Sequence, residues 1–464
     1  MLRLFKQYYP IRNIFFVIGE GVIIFLSVIT ASLITNTSNP TTLDSAVIFK
    51  AILVTLVCQI CLSYADLYEI HTVGGIRELF IRLLQALGIA TILIAGIYLI
   101  FPQMIIGTSV YILSVCILLL FLGSWRLTYS LIINRGLFDI KIVLIGADSL
   151  AQNIVNEINF RNDCGYTISC IVTEKYHKGT ITDARSPIIR KARYAGLAEL
   201  AKKLKISKIV VGIKEKRGEL PIEELLKCRV SGIEVLDGNS FYEILTGKLN
   251  VEQINPGWLI FSEGFETSRF KRLFKRLSDI FLSLILFTVF FPLMLFVALL
   301  IKIDSKGPVI FSQERVGQGR KLYYVHKFRS MVADAEENSG PVWAKDQDDR
   351  VTRVGNIIRK LRIDELPQLL NVLKGEMSFV GPRPEREFFV DMLEKQIPYY
   401  TERFSVKPGI TGWAQVCYPY GSTVEDAIQK LNFDLFYIKN LSIFMDLMIV
   451  LKTIKIVVLG RGAR

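Results

Sequence analysis

Two adjacent carboxylates, Asp364 and Glu365, stand in a basic, helix-like stretch whose residue types suit phosphate chemistry. The stretch reads Arg359-Lys-Leu-Arg-Ile-Asp-Glu-Leu-Pro-Gln368 and comes after a long uncharged segment. An aspartate beside clustered arginine and lysine stays ionised, and it can attack a phosphorus atom whose charge the cations neutralise. An acidic pair on a helix surface is more often only solvated, so the neighbouring residues must decide between a catalytic and a solvated pair.

Further cations stand beside short strand-like pieces and in stiff loops of the same part of the chain. Arg315 and Arg329 belong to the runs 311–317 and 327–331, and Arg383 stands between two prolines. Prolines stiffen a loop, so this guanidinium is fixed for bidentate contact with a phosphate. Residues 407–416 form another rigid turn, which carries an aromatic residue. Each piece alone is typical of an ordinary loop, whereas their order along one segment indicates a phosphate-binding site.

The composition of the chain indicates a membrane protein of several domains. Its 464 residues are too many for one core, so two to four domains are expected. Of these residues 51% are hydrophobic and the net charge is +13, which favours contact with anionic lipid headgroups or phosphorylated substrates. No zinc-finger spacing, RNP pattern or basic leucine zipper occurs, so nucleic acid is not expected as a partner. With only three histidines, a histidine-based metal site is nearly excluded.

Four apolar stretches near the N-terminus are each long enough for a membrane helix of about 20 residues. They cover approximately residues 14–34, 46–65, 79–101 and 104–124. Basic residues lie before the first, between the second and third, and after the fourth, while the other two connections have none. By the positive-inside rule, the N-terminus and the chain from residue 126 onward are therefore cytoplasmic. Residues 1–130 are predicted to form a four-helix transmembrane domain.

From about residue 137 to 250, short apolar runs alternate with charged helical ones. Strands are predicted at 141–146, 168–172, 209–212 and 233–236, and helices at 149–159, 196–205 and 221–230. This alternation is typical of a parallel, doubly wound sheet, so the region is predicted to be a Rossmann-like α/β domain. The run Gly146-Ala-Asp-Ser-Leu-Ala151 lacks the central glycine of a dinucleotide fingerprint. A degenerate Rossmann-like fold that binds no NAD explains this run at least as well as a dinucleotide site does.

The uncharged segment 280–301 lies between two basic flanks. The run 269–276 before it interleaves cations with aromatic and leucine residues, which favours a segment on the membrane surface, and Lys302 and Lys306 follow it. Pro292 stands in its middle, where it removes a helix hydrogen bond. Two half-helices of about 11 residues reach only about 17 Å, against a hydrocarbon core of about 30 Å. We therefore predict a re-entrant helix over about 277–303, with a fifth spanning helix as the alternative.

Residues 269–464 resemble the bacterial sugar transferases, also called monotopic phosphoglycosyl transferases. Besides the basic run and its apolar helix, the matching motifs are Lys327-Phe-Arg-Ser-Met331, Asp364-Glu-Leu-Pro-Gln368, Met377-Ser-Phe-Val-Gly-Pro-Arg-Pro384, Pro408-Gly-Ile-Thr-Gly-Trp-Ala-Gln-Val416 and the tail 431–442 with Asp446. Four spans and a Rossmann-like domain before this part resemble the large, exopolysaccharide-type branch of the family. The resemblance implies that 269–464 is a catalytic domain with a re-entrant helix and amphipathic interfacial helices.

The family resemblance implies a reaction, in which a nucleotide diphosphate sugar, commonly a UDP-sugar, donates sugar-1-phosphate to undecaprenyl phosphate. Asp364 would attack the sugar-bearing phosphate, forming a phosphosugar-aspartate and releasing UMP, and the lipid phosphate would then attack this intermediate. Glu365 would be the second catalytic residue. It would help to hold Mg²⁺, to which Asp364 is assigned as well, and take up the proton of the acceptor. The residues implied to bind the phosphates or the nucleotide sugar are Gln313, Arg315, Lys327, Arg329, Arg359, Gly381, Pro382, Arg383, Pro384, Thr411 and Gln415.

The resemblance also implies a location and partners. It places the protein in the bacterial cytoplasmic membrane, with the catalytic domain on the cytoplasmic side, and it implies a homodimer that contacts anionic membrane lipid. Two residues depart from the family pattern, because Phe291 stands where many relatives have serine and Arg362 where many have a small polar residue. Which sugar is transferred leaves no readable motif.

Two other functions compete with the transferase. A membrane scaffold that senses a nucleotide through the α/β domain would be supported by loss of Asp364 or Glu365, and both are present. An NAD-dependent dehydratase or epimerase of sugar nucleotides would need a complete glycine fingerprint and a Tyr-x-x-x-Lys pair. Residues 137–250 offer neither in convincing form. The sequence therefore favours the transferase.

Overall fold

The computed structural model of the protein divides the chain into two compact units, Met1–Phe241 and Tyr242–Arg464. The residues that the structure describes are 2–4, 7–9, 11–35, 45–68, 75–134, 136, 139–161, 163–174, 186–191, 194–213, 220–254, 256–262, 264–265, 268–332, 350–419 and 421–460.

The first unit begins with a short hairpin and four long apolar helices. The hairpin pairs β1 (Leu2–Leu4) with β2 (Gln7–Tyr9). The helices are α1 (Ile11–Thr35), α2 (Ser45–Tyr64), α3 (Ile76–Ile100) and α4 (Thr108–Asn134). All four have the length and hydropathy of a membrane span and lie where the sequence predicts them. Helix α4 begins later than predicted because a 3₁₀ turn, Pro102–Met104, precedes it. The connection between α1 and α2, residues 36–44, lies outside the described residues.

An ion pair is buried inside this helical bundle. Arg126 on α4 and Glu20 on α1 are 4% and 0% exposed, and Nε of the arginine lies 2.7 Å from Oε1 of the glutamate. The guanidinium also donates to the carbonyl of Leu67 at 2.9 Å, and it lies over the ring of Phe16. A charged group away from water is costly unless its partners satisfy it, so this cluster fixes α1 against α4.

A five-stranded sheet completes the first unit. Its strands are β3 (Ile140–Ile145), β4 (Tyr166–Thr173), β5 (Ile188–Arg190), β6 (Lys208–Val211) and β7 (Glu234–Asp237), and the helices between them are α5 (Ser149–Phe160), α6 (Leu197–Lys203) and α7 (Ile222–Val230). The order across the sheet is β5-β4-β3-β6-β7, and every pairing is parallel. The predicted parallel α/β region is confirmed. The sequence pattern did not predict β5, a three-residue strand at the edge.

The strand order reverses between β3 and β6, the place where doubly wound folds bind ligands. Gly146 follows β3 with a φ of +101°, and a Cβ on it would lie 2.9 Å from a side-chain carbon of Ile213. A Cβ on Gly212, which follows β6, would lie 3.0 Å from the Cβ of Ala151. These two glycines therefore let the strand ends and α5 approach closely, which gives the degenerate fingerprint a packing role.

The second unit contains the remaining helices and two short sheets. Its helices are α8 (Gly238–Thr246, which crosses the boundary), α9 (Pro256–Phe261), α10 (Arg269–Asp304), α11 (Arg353–Lys360), α12 (Gln368–Lys374), α13 (Glu387–Leu393), α14 (Trp413–Cys417), α15 (Val424–Lys439) and α16 (Ile443–Val458). Its strands are β8 (Ile310–Val316) and β9 (Leu322–Phe328), an antiparallel hairpin, and β10 (Ser378–Val380) and β11 (Gly409–Thr411), a parallel pair. The central part of its core includes Val390 of α13 and Leu435 of α15, both fully buried.

Helix α10 is continuous and passes through Pro292. By length and composition it is a fifth apolar helix among the described residues. Its first turns pack on the second unit, because Arg276 donates to the carbonyls of Val372 and Leu373 at 2.6 and 2.8 Å and so caps α12. The number of spanning helices and the re-entrant path of α10 remain predictions.

The second unit includes residues before 269, the position at which the catalytic domain was predicted to begin. Leu249 and Val251 are 1% and 2% exposed in its core. The N–H of Val251 donates to the side chain of Asn432 on α15 at 2.9 Å, and the indole N–H of Trp413 donates to the carbonyl of Gly247 at 2.8 Å. The segment 242–254 is therefore part of this folded unit and not a linker to it.

A fragment that begins at residue 262 should be less stable than one that begins at residue 242. Burying one leucine, valine or isoleucine stabilises a fold by about 1.5–3 kcal/mol, so losing Leu249, Val251 and Ile254 should cost roughly 5 kcal/mol. Thermal unfolding of the two fragments in detergent, followed by circular dichroism, measures the difference. Equal melting temperatures would show that this segment adds nothing to the unit.

Candidate active site

Asp364 and Glu365, here called the dyad, lie in a 3₁₀ turn between α11 and α12. Helix α11 ends at Lys360, and Arg362 takes the left-handed conformation with a φ of 58°. The predicted helix-like run is therefore broken just before the dyad. Successive side chains of a 3₁₀ turn point about 120° apart, so the two carboxylates diverge although they are adjacent. Both residues are 8% exposed.

Three cations surround one oxygen of Glu365. Its Oε1 lies 3.1 Å from Nζ of Lys327, 2.9 Å from Nη2 of Arg383 and 3.8 Å from Nη1 of Arg362. Burial alone would raise the pKa of Glu365, but these cations outweigh burial and hold the pKa well below its usual range. Glu365 is thus a permanent negative charge that orders three cations around the dyad.

The carboxyl group of Asp364 has a different environment. Burial and the neighbouring charge of Glu365 raise the pKa of Asp364 to about 6, against the opposing effect of Lys327. Its Oδ1 is buried and has no hydrogen-bond partner among the described residues. Buried polar atoms are normally satisfied, so this oxygen is a candidate to meet a ligand atom. The group is still mostly ionised at neutral pH, as a nucleophile must be.

Lys327 reaches the dyad from the β8–β9 hairpin, which Asn371 of α12 holds in place. The amide of Asn371 donates to the carbonyl of Tyr324 at 2.7 Å, and its oxygen accepts from the N–H of His326 at 3.1 Å. Asn371 is fully buried. Because α12 begins just after the dyad, these hydrogen bonds set the strand that carries Lys327 against the turn that carries Glu365.

Arg383 follows β10 in a loop built by close backbone contacts. A Cβ on Gly381 would lie 2.4 Å from the carbonyl oxygen of Lys407, so only glycine allows the two backbones to approach there. On the other side of the loop, Arg315 donates to the carbonyl of Pro384 at 3.1 Å. The residues on both sides of Arg383 are therefore fixed, which aims its guanidinium at the dyad.

Three other predicted residues, two near the β8–β9 hairpin and one on α11, make different contacts. Gln313 accepts from Arg315 at 2.6 Å and so orients that guanidinium. Arg329 is 5% exposed and donates to the backbone and the hydroxyl of Ser305, at the end of α10, instead of the dyad. Among the described ion pairs of Glu365, the cation from the stretch 359–368 is Arg362 and not Arg359.

Two predicted residues lie at the end of β11 and in α14, which follows it. The hydroxyl of Thr411 shares a hydrogen bond of 2.7 Å with Thr453 on α16, so it is engaged within the fold. The amide of Gln415 donates to the carbonyl of Ile410 at 3.3 Å, and its side-chain oxygen is buried without a partner among the described residues. Gln415 therefore keeps an acceptor for a ligand, whereas Thr411 contributes to packing.

The donor atoms of the dyad fit a magnesium ion that shares its coordination with substrate. The described residues contain no group of three or more His, Cys, Asp or Glu side chains that could hold a metal. Oδ1 of Asp364 has no partner, however, and the cations around Glu365 all contact Oε1. Mg²⁺ commonly binds one or two carboxylates together with phosphates and water. The residues present thus suit Mg²⁺ in the presence of a phosphorylated ligand.

Two arginines of the site were not predicted as site residues. Arg362 was noted only as a departure from a pattern, and the left-handed turn brings it to Glu365. Arg403 donates to the carbonyl of Arg383 at 3.0 Å and pairs with Asp434 at 2.9 Å. Asp434 stood in a family motif without an assigned role. No local pattern relates Arg403 to either partner.

Comparison with known proteins finds one matching family profile and several named relatives. The profile described as bacterial sugar transferase matches residues 270–460. The chain is 45% identical over 240 residues to the UDP-N-acetylgalactosamine-undecaprenyl-phosphate N-acetylgalactosaminephosphotransferase of Aeromonas hydrophila, which covers 52% of this chain and 56% of that protein. It is 41% identical over 218 residues to the undecaprenyl-phosphate glucose phosphotransferase of Komagataeibacter xylinus, covering 46% of this chain and 41% of the relative.

A shorter relative is matched over most of its length. The exopolysaccharide production protein PSS of Rhizobium leguminosarum bv. phaseoli is 45% identical over 185 residues, which is 39% of this chain and 92% of that protein. The chain spans about half the length of the Aeromonas and Komagataeibacter relatives. Their names differ in the sugar, so similarity alone does not assign one.

Proposed function

The chain belongs to the bacterial sugar transferase family, and we propose that it transfers sugar-1-phosphate from a UDP-sugar to undecaprenyl phosphate. UMP is the leaving group, and a covalent phosphosugar on Asp364 is the intermediate. The sugar is a hexose or an N-acetylhexosamine, in line with the names of the relatives. The product is the first lipid-linked unit of an exopolysaccharide or another surface glycan.

The observation that carries this proposal is that the two carboxylates of the dyad have different environments. Glu365 holds Lys327 and Arg383 within 3.1 Å, while the adjacent Asp364 keeps a buried oxygen without a partner. A nucleophilic carboxylate needs a free oxygen, and a diphosphate needs cations fixed in advance. Both requirements are met within two consecutive residues.

The reaction proceeds in two displacements at the same phosphorus atom. An oxygen of Asp364 attacks the sugar-bearing phosphorus of the donor, and the bond from this phosphorus to the bridging oxygen breaks, so the electron pair leaves with UMP. A phosphate oxygen of the lipid then attacks the phosphorus, and the bond to Asp364 breaks, which restores the carboxylate. Lys327 and Arg383 neutralise the charge that develops on the phosphate oxygens.

We also propose Mg²⁺ as the cofactor, which carboxylate oxygens of Asp364 and Glu365 would hold together with donor phosphates. When bound, it would supply Lewis-acid stabilisation of the diphosphate. The protein's own contribution is to hold Lys327, Arg362 and Arg383 on Oε1 of Glu365.

A panel of donors tests the proposed function. The purified protein is incubated with undecaprenyl phosphate and radiolabelled UDP-glucose, UDP-galactose or UDP-N-acetylgalactosamine. We expect label in the lipid fraction for one of them, with an equal amount of UMP in the aqueous phase. Label in lipid together with UDP instead of UMP would contradict the proposed reaction, since it would mean that the sugar is transferred without its phosphate.

The fall of kcat/KM at low pH, the acid limb of its pH profile, should report the pKa of Asp364. This pKa is raised to about 6, so the ionised nucleophile is depleted as the pH falls through that value. We expect kcat/KM to be constant above pH 7 and to fall about tenfold per pH unit below pH 6. Glu365 cannot cause this limb because its pKa is held below the usual range. A limb centred near pH 4 would mean that another group limits the rate.

The contacts at the two ends of α10 support the re-entrant path. Near its start, Asp279 accepts from the hydroxyl of Ser378 at 2.8 Å. Near its end, Asp304 accepts from the N–H of Val354 at 3.1 Å. A straight helix between the two would be about 37 Å long, more than the hydrocarbon core of about 30 Å. Residues of the same compact unit contact both Asp279 and Asp304. A spanning helix would carry these two residues to opposite sides of the membrane, so a helix that enters and leaves by the same face is favoured.

Cysteine labelling in intact cells should distinguish the two paths. Lys306 is exposed just after α10, and Lys306→Cys should be protected from an impermeant thiol reagent added outside. Gln103→Cys, in the exposed turn between α3 and α4, is the matched control and should be labelled. Background from the seven native cysteines is measured on the unaltered chain. External labelling of residue 306 equal to that of residue 103 would establish a fifth span.

With a re-entrant α10, we propose that the second unit lies on the cytoplasmic side of the bacterial cytoplasmic membrane. Large apolar side chains on α16 support its contact with the membrane surface, since Phe444, Leu447 and Leu451 are all more than half exposed. Anionic lipid suits the net charge of +13. Assembly as a homodimer is proposed from the family resemblance alone.

A further inference from the structure

A buried ion pair lies directly behind the loop that carries Arg383. Arg403 is 7% exposed and Asp434 is 2% exposed, and Nη2 of the arginine lies 2.9 Å from Oδ2 of the aspartate. Nη1 donates to the hydroxyl of Tyr400 at 2.7 Å. Neither charged residue touches Asp364 or Glu365, and the proposed reaction does not use them.

The third hydrogen bond of this guanidinium reaches the active site. Nη2 of Arg403 donates to the backbone carbonyl of Arg383 at 3.0 Å. The side chain of that same residue donates to Oε1 of Glu365 at 2.9 Å. A continuous series of contacts therefore runs from Asp434 through Arg403 and Arg383 to the dyad.

We propose that Arg403 and Asp434 are positioning residues, which hold the backbone of Arg383 so that its guanidinium meets the donor diphosphate beside Glu365. This inference rests on the proposed transfer of a sugar phosphate. Arg403 acts on the reaction through Arg383 and not by contact with substrate, whereas Asp434 and Tyr400 fix the plane of the Arg403 guanidinium.

The chemistry of the pair supports a geometric role. Removing two charges from water costs several kcal/mol, so a buried ion pair seldom adds much stability over apolar residues of equal volume. What it provides is direction, since a guanidinium presents its donors in a fixed planar fork. The three acceptors around Arg403 lie on separate segments, namely the turn at Tyr400, helix α15 and the loop after β10. An ammonium group cannot satisfy all three in one plane.

Three substitutions should therefore lower the rate in a graded way. Arg403→Lys keeps the charge beside Asp434 but loses the fork, and we expect kcat/KM to fall by about 30-fold. Asp434→Asn keeps an acceptor oxygen and should cost about tenfold, while Tyr400→Phe removes one hydrogen bond and should cost about threefold. The matched control is Lys439→Arg, on the same helix α15.

Lys439 is a suitable control because it is buried to the same degree and has no contact with Arg383. It is 6% exposed and pairs with Glu243 at 2.6 Å. Substituting it tests whether any disturbed buried cation on α15 slows the reaction. We expect Lys439→Arg to lower the melting temperature as much as Arg403→Lys does, with kcat/KM changed by less than about threefold.

A double-mutant cycle with Arg383→Ala separates positioning from general instability. If Arg403 acts through the side chain of Arg383, Arg403→Lys should cost about 30-fold in the native background and less than about threefold once that side chain is absent. Equal costs in both backgrounds, in an enzyme that transfers sugar phosphate, would overturn the positioning role and leave the proposed function intact.

Amide hydrogen exchange provides a readout that needs no activity. The N–H of Gly381 is bonded to Thr411, and the N–H of Val316 is bonded to the carbonyl of Glu385, so these two amides report on the two sides of the loop. Arg403→Lys should raise their exchange at least about tenfold while Lys439→Arg leaves it unchanged. Unchanged exchange in Arg403→Lys would refute the inference even if no UDP-sugar were a substrate.

Discussion

Asp364→Asn is expected to abolish the transfer of sugar phosphate and also the release of UMP that the donor alone supports. The first displacement requires a carboxylate oxygen that forms a bond to phosphorus, and an amide oxygen is a far weaker nucleophile. Loss of a covalent nucleophile typically raises the barrier by several kcal/mol, where each 1.4 kcal/mol is about tenfold in rate. Mass spectrometry of the native enzyme with donor and Mg²⁺ should find one sugar phosphate on the peptide that contains Asp364.

The same substitution should not weaken the fold, which separates a catalytic from a structural role. Burial raises the pKa of Asp364 to about 6, so its ionised form is less stable in the folded chain than in the unfolded one at neutral pH. A neutral amide removes this cost, and the free energy of unfolding at pH 7 should rise by about 3 kcal/mol. Below pH 4 the native group is protonated as well, so the gain should disappear.

Asp391→Asn is a matched control for this prediction, because Asp391 is an exposed carboxylate that pairs with Arg320 at 3.1 Å. It should change neither the rate nor the stability by a measurable amount, as is usual for exposed ion pairs. Transfer by Asp364→Asn at the native rate would show that the lipid phosphate attacks the donor directly. A large drop in the melting temperature of Asp364→Asn would instead mean that Asp364 stabilises the fold.

Much of the architecture could be predicted from the sequence because it follows local periodicity. The helices α1 to α4 are apolar runs of membrane length, and the strands β3, β4, β6 and β7 are short apolar runs between charged helices. The edge strand β5 is too short for a pattern of its own. The contribution of 242–254 to the second unit was also missed, because it depends on partners such as Asn432 that lie far along the chain.

The site shows the same division between local and distant information. Asp364, Glu365 and Lys327 stand in motifs, and the structure brings these three together. Arg362 and not Arg359 meets Glu365, because Arg362 itself takes the left-handed conformation and ends the helix. No glycine or proline stands there to predict this turn from the sequence. The role of Arg403 arises only when the loop, the turn and α15 pack together, so no reading of its neighbours in sequence could have assigned it.

The second large effect is expected for Glu365→Gln, which should lower kcat/KM by at least about a thousandfold. Its Oε1 gathers Lys327, Arg362 and Arg383, and a neutral amide no longer balances their charge. The amide nitrogen would also meet one or more of these cations in place of an acceptor. The cations should then separate, so the donor diphosphate loses the arrangement that neutralises it and any metal loses one ligand.

This substitution should disturb the fold as well, in contrast to Asp364→Asn. Removing one partner of a buried charge cluster leaves the others uncompensated and costs about 3–5 kcal/mol. Because the negative neighbour is lost while the cations remain, the pKa of Asp364 should fall, and the acid limb of the residual activity should move below pH 6.

Glu376→Gln is the control for this second prediction, since the side chain of Glu376 accepts from Asn371 at 2.7 Å and a glutamine oxygen can replace it. We expect its kcat/KM to stay within about fivefold of the native value. If Glu365→Gln lowered the rate while the acid limb stayed at pH 6, Glu365 would act only as a ligand or proton acceptor. A limb that moves below pH 6 with the substitution, in a protein whose fold is intact, would support the view that the charge of Glu365 raises the pKa of the nucleophile.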